Sequence, residues 1–276
     1  MSGQAGSSSN PGKILRGGEF YSPVRSRLGV CDVLLSELCQ PGSRSVPRHE
    51  HELAYVTVVL AGDYLEGDHG HLAELHPFTA ALNPAGVAHS TVIGPAGASF
   101  FTVEFRDEAL RALDVRLPMG TTFDRGAGAV LWPGLRLYSA FKAQDALRLE
   151  ACILEMLGSV GRFERPESCA PPWFRRVKQR LTEEFREPVR MRDLAREAGV
   201  HPVHLARVFR RIEQQTPGEY QQRQQVRAAC ELLHDPESPL CFIAAECGFA
   251  DQSHFTRVFH RMTGATPARF RKTIHH

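Results

Sequence analysis

The stretch His204-Leu-Ala-Arg-Val-Phe-Arg-Arg-Ile-Glu-Gln-Gln-Thr-Pro-Gly-Glu-Tyr220 lies over His254-Phe-Thr-Arg-Val-Phe-His-Arg-Met-Thr-Gly-Ala-Thr-Pro-Ala-Arg-Phe270 when the chain is slid along itself by fifty residues. Seven of the seventeen positions are identical: the His, two Arg, Val, Phe, Thr and Pro. Just upstream, at an offset of forty-nine, Leu194-Ala-Arg-Glu-Ala-Gly199 lies over Ile243-Ala-Ala-Glu-Cys-Gly248. The one-residue slip falls in a turn, where insertions are tolerated. An internal duplication fixes the kind of architecture before any single motif is weighed.

Each copy has the anatomy of a helix-turn-helix. Ala195 and Ala244 are small enough for two helix backbones to approach, and Gly199 and Gly248 stand where a tight turn needs positive φ. The second helix must bury an apolar stripe, for which Leu205, Val208 and Phe209 serve in one copy and Phe255, Val258 and Phe259 in the other. Thr216-Pro217 and Thr266-Pro267 then start a further helix, Thr as N-cap and Pro in the first turn. Glu219 completes a capping box in the first copy, and Arg269 at the matching place does not. Tyr220 to Leu233 forms a helix between the copies. Two second helices about one DNA turn apart, roughly 34 Å, enter successive major-groove segments of one duplex.

The run Pro239-Leu-Cys-Phe-Ile-Ala-Ala-Glu-Cys-Gly-Phe-Ala-Asp-Gln-Ser-His-Phe-Thr-Arg-Val-Phe-His-Arg-Met-Thr-Gly-Ala-Thr-Pro-Ala-Arg-Phe-Arg271 resembles the signature of the AraC/XylS transcription regulators. The resemblance covers Trp173 to the C-terminus strongly and the front half loosely. It implies that the second helix of each unit reads bases. The reading positions then fall on Val203, Ala206 and Arg207 in the first, and on Gln252, Ser253, Thr256 and Arg257 in the second. Arg207 and Arg257 suit guanine O6 and N7, and Gln252 suits adenine. Val203 and Ala206 offer only apolar contact, so the first unit is expected to read less sequence than the second. Arg210, Arg211 and Arg261 come later in these helices, where neutralising phosphates is the expected role.

Charge agrees. From residue 170 onward there are 18 Lys and Arg against 12 Asp and Glu, whereas the 169 residues before hold 15 against 19. A basic back half behind an acidic front half points to double-stranded DNA as partner of the former. The longest uncharged apolar run, Leu53 to Ala61, is far short of the roughly 20 residues of a membrane span. Residues 1–12 read as a flexible tail with no secretory signal. The seven cysteines are odd in number, scattered and without a CxxC pair, as suits reduced thiols in a cytoplasm.

Ahead of the duplication, Lys13 to Pro118 shows short segments rich in Val, Leu, Phe and Thr between turn residues, the pattern of an antiparallel β-barrel or sandwich. Leu53 to Leu60 and Ser99 to Phe105 read as central strands. Pro47-Arg-His49-Glu-His51 with Ala61-Gly62, then Pro84-Ala-Gly86-Val-Ala-His89, resembles the two motifs of the cupin barrel, which many AraC-type regulators carry as an effector-binding part. Strand alternation puts His49 and His51 on one face, with His89 opposite. Three imidazoles suit a divalent metal. Metal-binding cupins carry a carboxylate four or five residues past the second His, and here Tyr55 and Val56 hold those places. Glu50 and Glu52 have the wrong parity. His49, His51, Tyr55 and His89 therefore line either a metal site or a polar pocket for a small-molecule effector. Residues 134–162 follow a helical period and read as one helix, packed on the β domain and suited to homodimer contact.

The expectation is an α+β chain: a tail (1–12), a cupin-like domain with its helix (13–163), a linker (164–172) and an all-α domain with two helix-turn-helix units (173–276). Its function is that of a DNA-binding regulator, with RNA polymerase a further partner. The alternative is a metal-dependent, dioxygenase-like cupin enzyme with an appended helical domain.

Overall fold

The structure, a computed structural model, describes residues 13–68, 71–124, 130–161, 170–213 and 215–275. The front part runs through β1 (Lys13–Leu15), β2 (Val24–Val30), β3 (Val33–Gln40), β4 (Arg44–His51), β5 (Ala54–Ala61), β6 (Tyr64–Asp68), β7 (His71–Leu75), β8 (Ala80–Asn83), β9 (His89–Ile93) and β10 (Ala98–Phe105). Helix α1 (Asp107–Ala112), strand β11 (Thr122–Asp124) and helices α2 (Leu131–Ala143) and α3 (Ala146–Val160) follow. The back part is α4 (Pro172–Glu183), α5 (Met191–Ala198), α6 (Pro202–Glu213), α7 (Pro217–Leu232), α8 (Leu240–Glu246), α9 (Gln252–Thr263) and α10 (Pro267–His275).

The strands form two sheets, in the orders β1-β4-β9-β6-β7 and β11-β8-β5-β10-β3-β2. Among the described residues they do not close into one hydrogen-bonded barrel, so the barrel expectation becomes a two-sheet packing. Pairing is antiparallel except for β1, which runs parallel to β4. The central strands β8, β5 and β10 of the six-stranded sheet are buried on both faces, so β5 reads as a nearly continuous apolar run, whereas the edge strand β2 is exposed or half-buried. On β10, Phe101, Val103 and Phe105 join Val56, Val58 and Leu60 of β5 in a core with Leu135, Tyr138 and Phe141 of α2. Phe100 and Thr102, with Tyr55 and Thr57, line a cavity on the opposite face.

The helix expected over 134–162 is two. Gln144 adopts a left-handed conformation (φ 53°) that ends α2, and Asp145 then caps α3 by accepting a bond from Arg148 N. No Gly or Pro marks this break, which is why periodicity alone runs through it. The linker expected at 164–172 lies largely outside the described residues.

The duplicated units form as the residues dictate. Leu205, Val208, Phe209, Phe255, Val258 and Phe259 are all buried, as are Ala195 and Ala244. Thr216 and Glu219 make the reciprocal capping box. Phe174, Val177, Leu181, Leu194, Leu205, Phe209 and Tyr220 make a cluster belonging to the first unit alone. The second unit shares one continuous core with α2, α3 and the six-stranded sheet, through Phe255, Phe259, Met262 and Phe270.

Gly199 and Gly248 both take positive φ, 68° and 76°. A Cβ on Gly199 would meet nothing within 4 Å, but one on Gly248 would lie 2.1 Å from the Arg186 carbonyl oxygen. We expect Gly199→Ala to cost about 1–2 kcal/mol from backbone conformation alone. Gly248→Ala should cost a further ~1–3 kcal/mol from overlap. Denaturant midpoints of the two variants check this, and equal losses would contradict it.

Candidate functional site

Helices α6 and α9 leave most of the positions expected to meet DNA exposed. In α6, burial of Leu205, Val208 and Phe209 leaves Val203, Arg207 and Arg211 exposed and Ala206 partly covered. In α9, Gln252, Ser253, Arg257 and Arg261 are exposed and Thr256 partly so. Asp251 fixes the start of α9 by accepting a bond from His254 N at 2.6 Å. Among the described residues no hydrogen bond or ion pair within the chain holds Arg207 or Arg257, so their forked donors are open to an acceptor. Thr256 Oγ1 donates to Gln252 O at 2.8 Å, spending its proton on its own helix. Arg261 donates to Gln222 Oε1 of α7 at 2.6 Å and thereby ties α9 to the connecting helix.

A second site lies between the sheets. Pro47 has no N–H to give a ladder, and the β4–β9 register shifts between Val46 and His49. This bulge aims His49 inward with His51, and the resumed register sets His49 against His89. One ligand atom from each of the three buried imidazoles lies within 4.8 Å of those of the others. His49 Nδ1 donates to Pro47 O at 2.8 Å, and His89 Nδ1 to Val87 O at 3.3 Å. Tyr55 Oη donates to His89 Nε2 at 3.0 Å. Burial, then the neighbouring His89, pushes His49 down to about 4; burial, then His89 and His49, pushes His51 down to about 3. Both rings are neutral at physiological pH, with lone pairs free for a Lewis acid or a proton donor.

The ring set suits a metal in part. Backbone carbonyls orient two of the imidazoles, as in known metal sites, and His51 Nδ1 is buried without a hydrogen-bond partner among the described residues. The fourth place holds the phenol of Tyr55, while Val56 points to the opposite core. Residues that spacing did not reveal complete the wall. Glu66, on β6, is buried in the cavity and accepts a bond from Tyr64 Oη at 3.0 Å. Tyr64 and Glu66 share strand parity just after the Gly62-Asp63 turn, the one signal that places them together. The cavity holds about 80 Å³, enough for a small ligand or an ion with water.

Phe20, Tyr21 and Ser22, from the segment between β1 and β2, line one wall of this cavity. Tyr21 packs edge-on against His49 at 5.0 Å, and Phe20 lies 5.8 Å from His51. Gly18 N donates to both carboxylate oxygens of Glu104 at 3.0 Å, which anchors the segment.

Away from this site, His76 is exposed and bonds Asp63 Oδ1 at 3.0 Å. No helix among the described residues is long and apolar enough to cross a membrane.

With this geometry in place, the comparisons fit it. A family profile described as "Helix-turn-helix domain" matches residues 194–273. Regulatory protein SoxS of Salmonella typhimurium is 32% identical over 94 residues, which are 34% of this chain and 88% of SoxS. Probable transcription factor PqrA of Proteus vulgaris is 31% identical over 86 residues, 31% of this chain and 70% of PqrA. The structure of unsaturated fatty acid bound ToxT from Vibrio cholerae aligns over 92% of this chain and 97% of ToxT, at 12% identity and a TM-score of 0.35. So loose a likeness says nothing of this chain's ligand.

The molecule is thus a DNA-binding protein built on paired helix-turn-helix units behind a sheet-rich domain. It belongs to the AraC/XylS family of transcription regulators. The cupin-enzyme alternative finds no support, since these relatives carry the names of regulators.

Burial raises Glu104 to about 7, against the bonds from Gly18 and the charge of Arg27, which lower it. The folded value lies above the ordinary 4.5 of an exposed carboxyl. The native state therefore keeps a proton that the unfolded chain has lost between those values, and this contribution falls as pH rises through that window. Glu104→Gln should therefore gain stability relative to wild type on going from about pH 5 to about pH 8. Urea midpoints at both values check it, and a constant difference would contradict it.

Proposed function

We propose that this regulator reads DNA by laying α6 and α9 into successive major-groove segments, with specificity weighted toward α9. The observation that carries the reading is the matching exposure of the two copies: each buries its apolar stripe and leaves an exposed arginine, Arg207 or Arg257, without a partner among the described residues. Val203 and Ala206 add apolar contact with thymine methyl groups, Gln252, Ser253 and Thr256 add polar contacts, and Arg211 and Arg261 meet phosphates. The protein works in the cytoplasm, and RNA polymerase is its further partner at a promoter.

The cavity around His49, His51, Tyr55 and His89 is proposed as the effector site. Neutral imidazoles, a phenol and the Glu66 carboxylate suit a small polar molecule. A divalent metal held by the three histidines is the other occupant the donor set fits, and it would supply a Lewis acid there. Elemental analysis of the purified chain tells the two apart.

Leu147, Ala151, Leu154 and Gly158 repeat at alternating four- and three-residue steps on the open side of α3, and Leu147 and Leu154 are 78% and 60% exposed. This spacing is that of a helix-pairing seam and supports a homodimer formed through α3. Leu147→Arg with Leu154→Arg should reduce the mass measured in solution by half at unchanged helicity. A dimer that survives both changes would contradict the seam.

For DNA reading, Arg257→Ala should cost about 1–3 kcal/mol and relax preference at one base pair, whereas Arg211→Ala should weaken every sequence alike. Competition binding against a set of single-base variants separates these outcomes. Uniform loss for Arg257→Ala would refute its base-reading role.

A further inference from the structure

The C-terminus of the second reading helix is capped by the front domain. Met262 O accepts a bond from Arg136 Nη1 at 2.9 Å. Gly264, the left-handed residue that ends α9 (φ 75°), offers its carbonyl to Arg148 Nη2 at 3.0 Å and to Ser139 Oγ at 3.1 Å. Arg136 is itself held by an ion pair with Glu155 of α3. A helix leaves its last carbonyls without partners and its C-terminal dipole end negative. Here two guanidinium groups from α2 and α3 satisfy both needs. The φ of +75° favours glycine at 264, and a Cβ there would lie 2.9 Å from Arg148 Nη2 and push this donor aside.

A second contact reaches the same unit. Phe78, in the turn between β7 and β8, is fully buried with φ +61°, a costly conformation for a bulky residue. Its ring lies 5.7 Å from Phe270 of α10 and 5.7 Å from His234 beyond α7. Phe78 N donates to Val59 O of β5 at 2.9 Å and Thr79 O accepts from Val59 N at 3.0 Å, which holds this turn to the sheet. The hydrophobic cluster of the first unit, by contrast, contains no residue of the front domain.

We infer that Arg136, Ser139 and Arg148 are positioning residues for DNA recognition, setting the orientation of α9 while leaving α6 to be set by its own unit. The inference rests on the proposal that α6 and α9 both read bases. It also names the route from the cavity. Thr57 lines the cavity on one face of β5, and Val58, its neighbour on the other face, touches α2 so closely that a Cβ on Gly134 would lie 2.6 Å from Val58 Cγ2. A shift of β5 therefore moves α2, and α2 holds the end of α9. A change of state in the front domain is felt at the half-site read by α9.

The test uses the full chain and a library of duplexes with a randomised central region. Selection with wild type gives the preferred site, and Arg207→Ala and Arg257→Ala assign its halves to α6 and α9. Arg148→Met keeps the aliphatic stem and removes the donors. It should lower discrimination in the α9 half by about tenfold, the size of one charge-assisted hydrogen bond, and leave the α6 half unchanged. Ser139→Ala should act in the same half more weakly, and Arg148→Lys, which still donates to a carbonyl, should restore most of the loss. Equal loss in both halves would mean general destabilisation and overturn the inference, as would no change in either. A wild-type chain that enriches no sequence would overturn the reading role itself, and it is told apart because it appears before any front-domain variant is made.

Discussion

Strands β5 and β10 are buried on both sides, and each side asks something different of them. Toward α2 the alternating residues are Val56, Val58 and Leu60 beside Phe101 and Val103, all apolar. Toward the other sheet they are Tyr55 and Thr57 against Thr102, where Thr57 and Thr102 hydroxyls bond each other at 3.3 Å. A polar group out of water is tolerable only with a partner. The same pair of strands therefore builds a support for helices on one side and a wall of hydrogen-bonded hydroxyls on the other. Period-two alternation is the whole of the device.

The two helix-turn-helix copies show how one local solution serves two settings. Both use a glycine at positive φ and a buried alanine, because steep helix crossing in a short turn allows little else. Their surroundings differ. The first copy packs on α4 and the start of α7, a small core that it closes for itself. In the second, the Arg186 carbonyl crowds the turn glycine, and the front domain occupies the end of the reading helix. Sequence similarity between the copies records the shared crossing, not the shared neighbours.

Local rules were legible in the residues. The inward positions of both reading helices, the Thr216–Glu219 box, the parity of His49 and His51, and the central strands β5 and β10 all follow from periodicity and capping. Long-range packing was not. Whether two sheets close depends on pairings among strands distant in sequence, and β1 alongside β4 carries no local mark. The end of α2 falls at Gln144, a left-handed residue without the glycine that usually announces one. Glu66 escaped notice because its carboxylate enters the cavity from another strand, fifteen residues past His51. Arg136 and Arg148 look like ordinary surface charges between apolar helix positions; the docked end of α9 gives each a carbonyl acceptor, Met262 O and Gly264 O.

Helix α7 joins the two units through sixteen residues, about 24 Å of straight rod. Its ends lie in two different cores, so it offers no compliance between them. Under the proposed reading by α6 and α9, a separation that departs from the groove repeat would be met by bending of the duplex. Flexible pyrimidine–purine steps between the half-sites would then lower the work of binding, and base pairs that no side chain touches would carry part of the operator's identity.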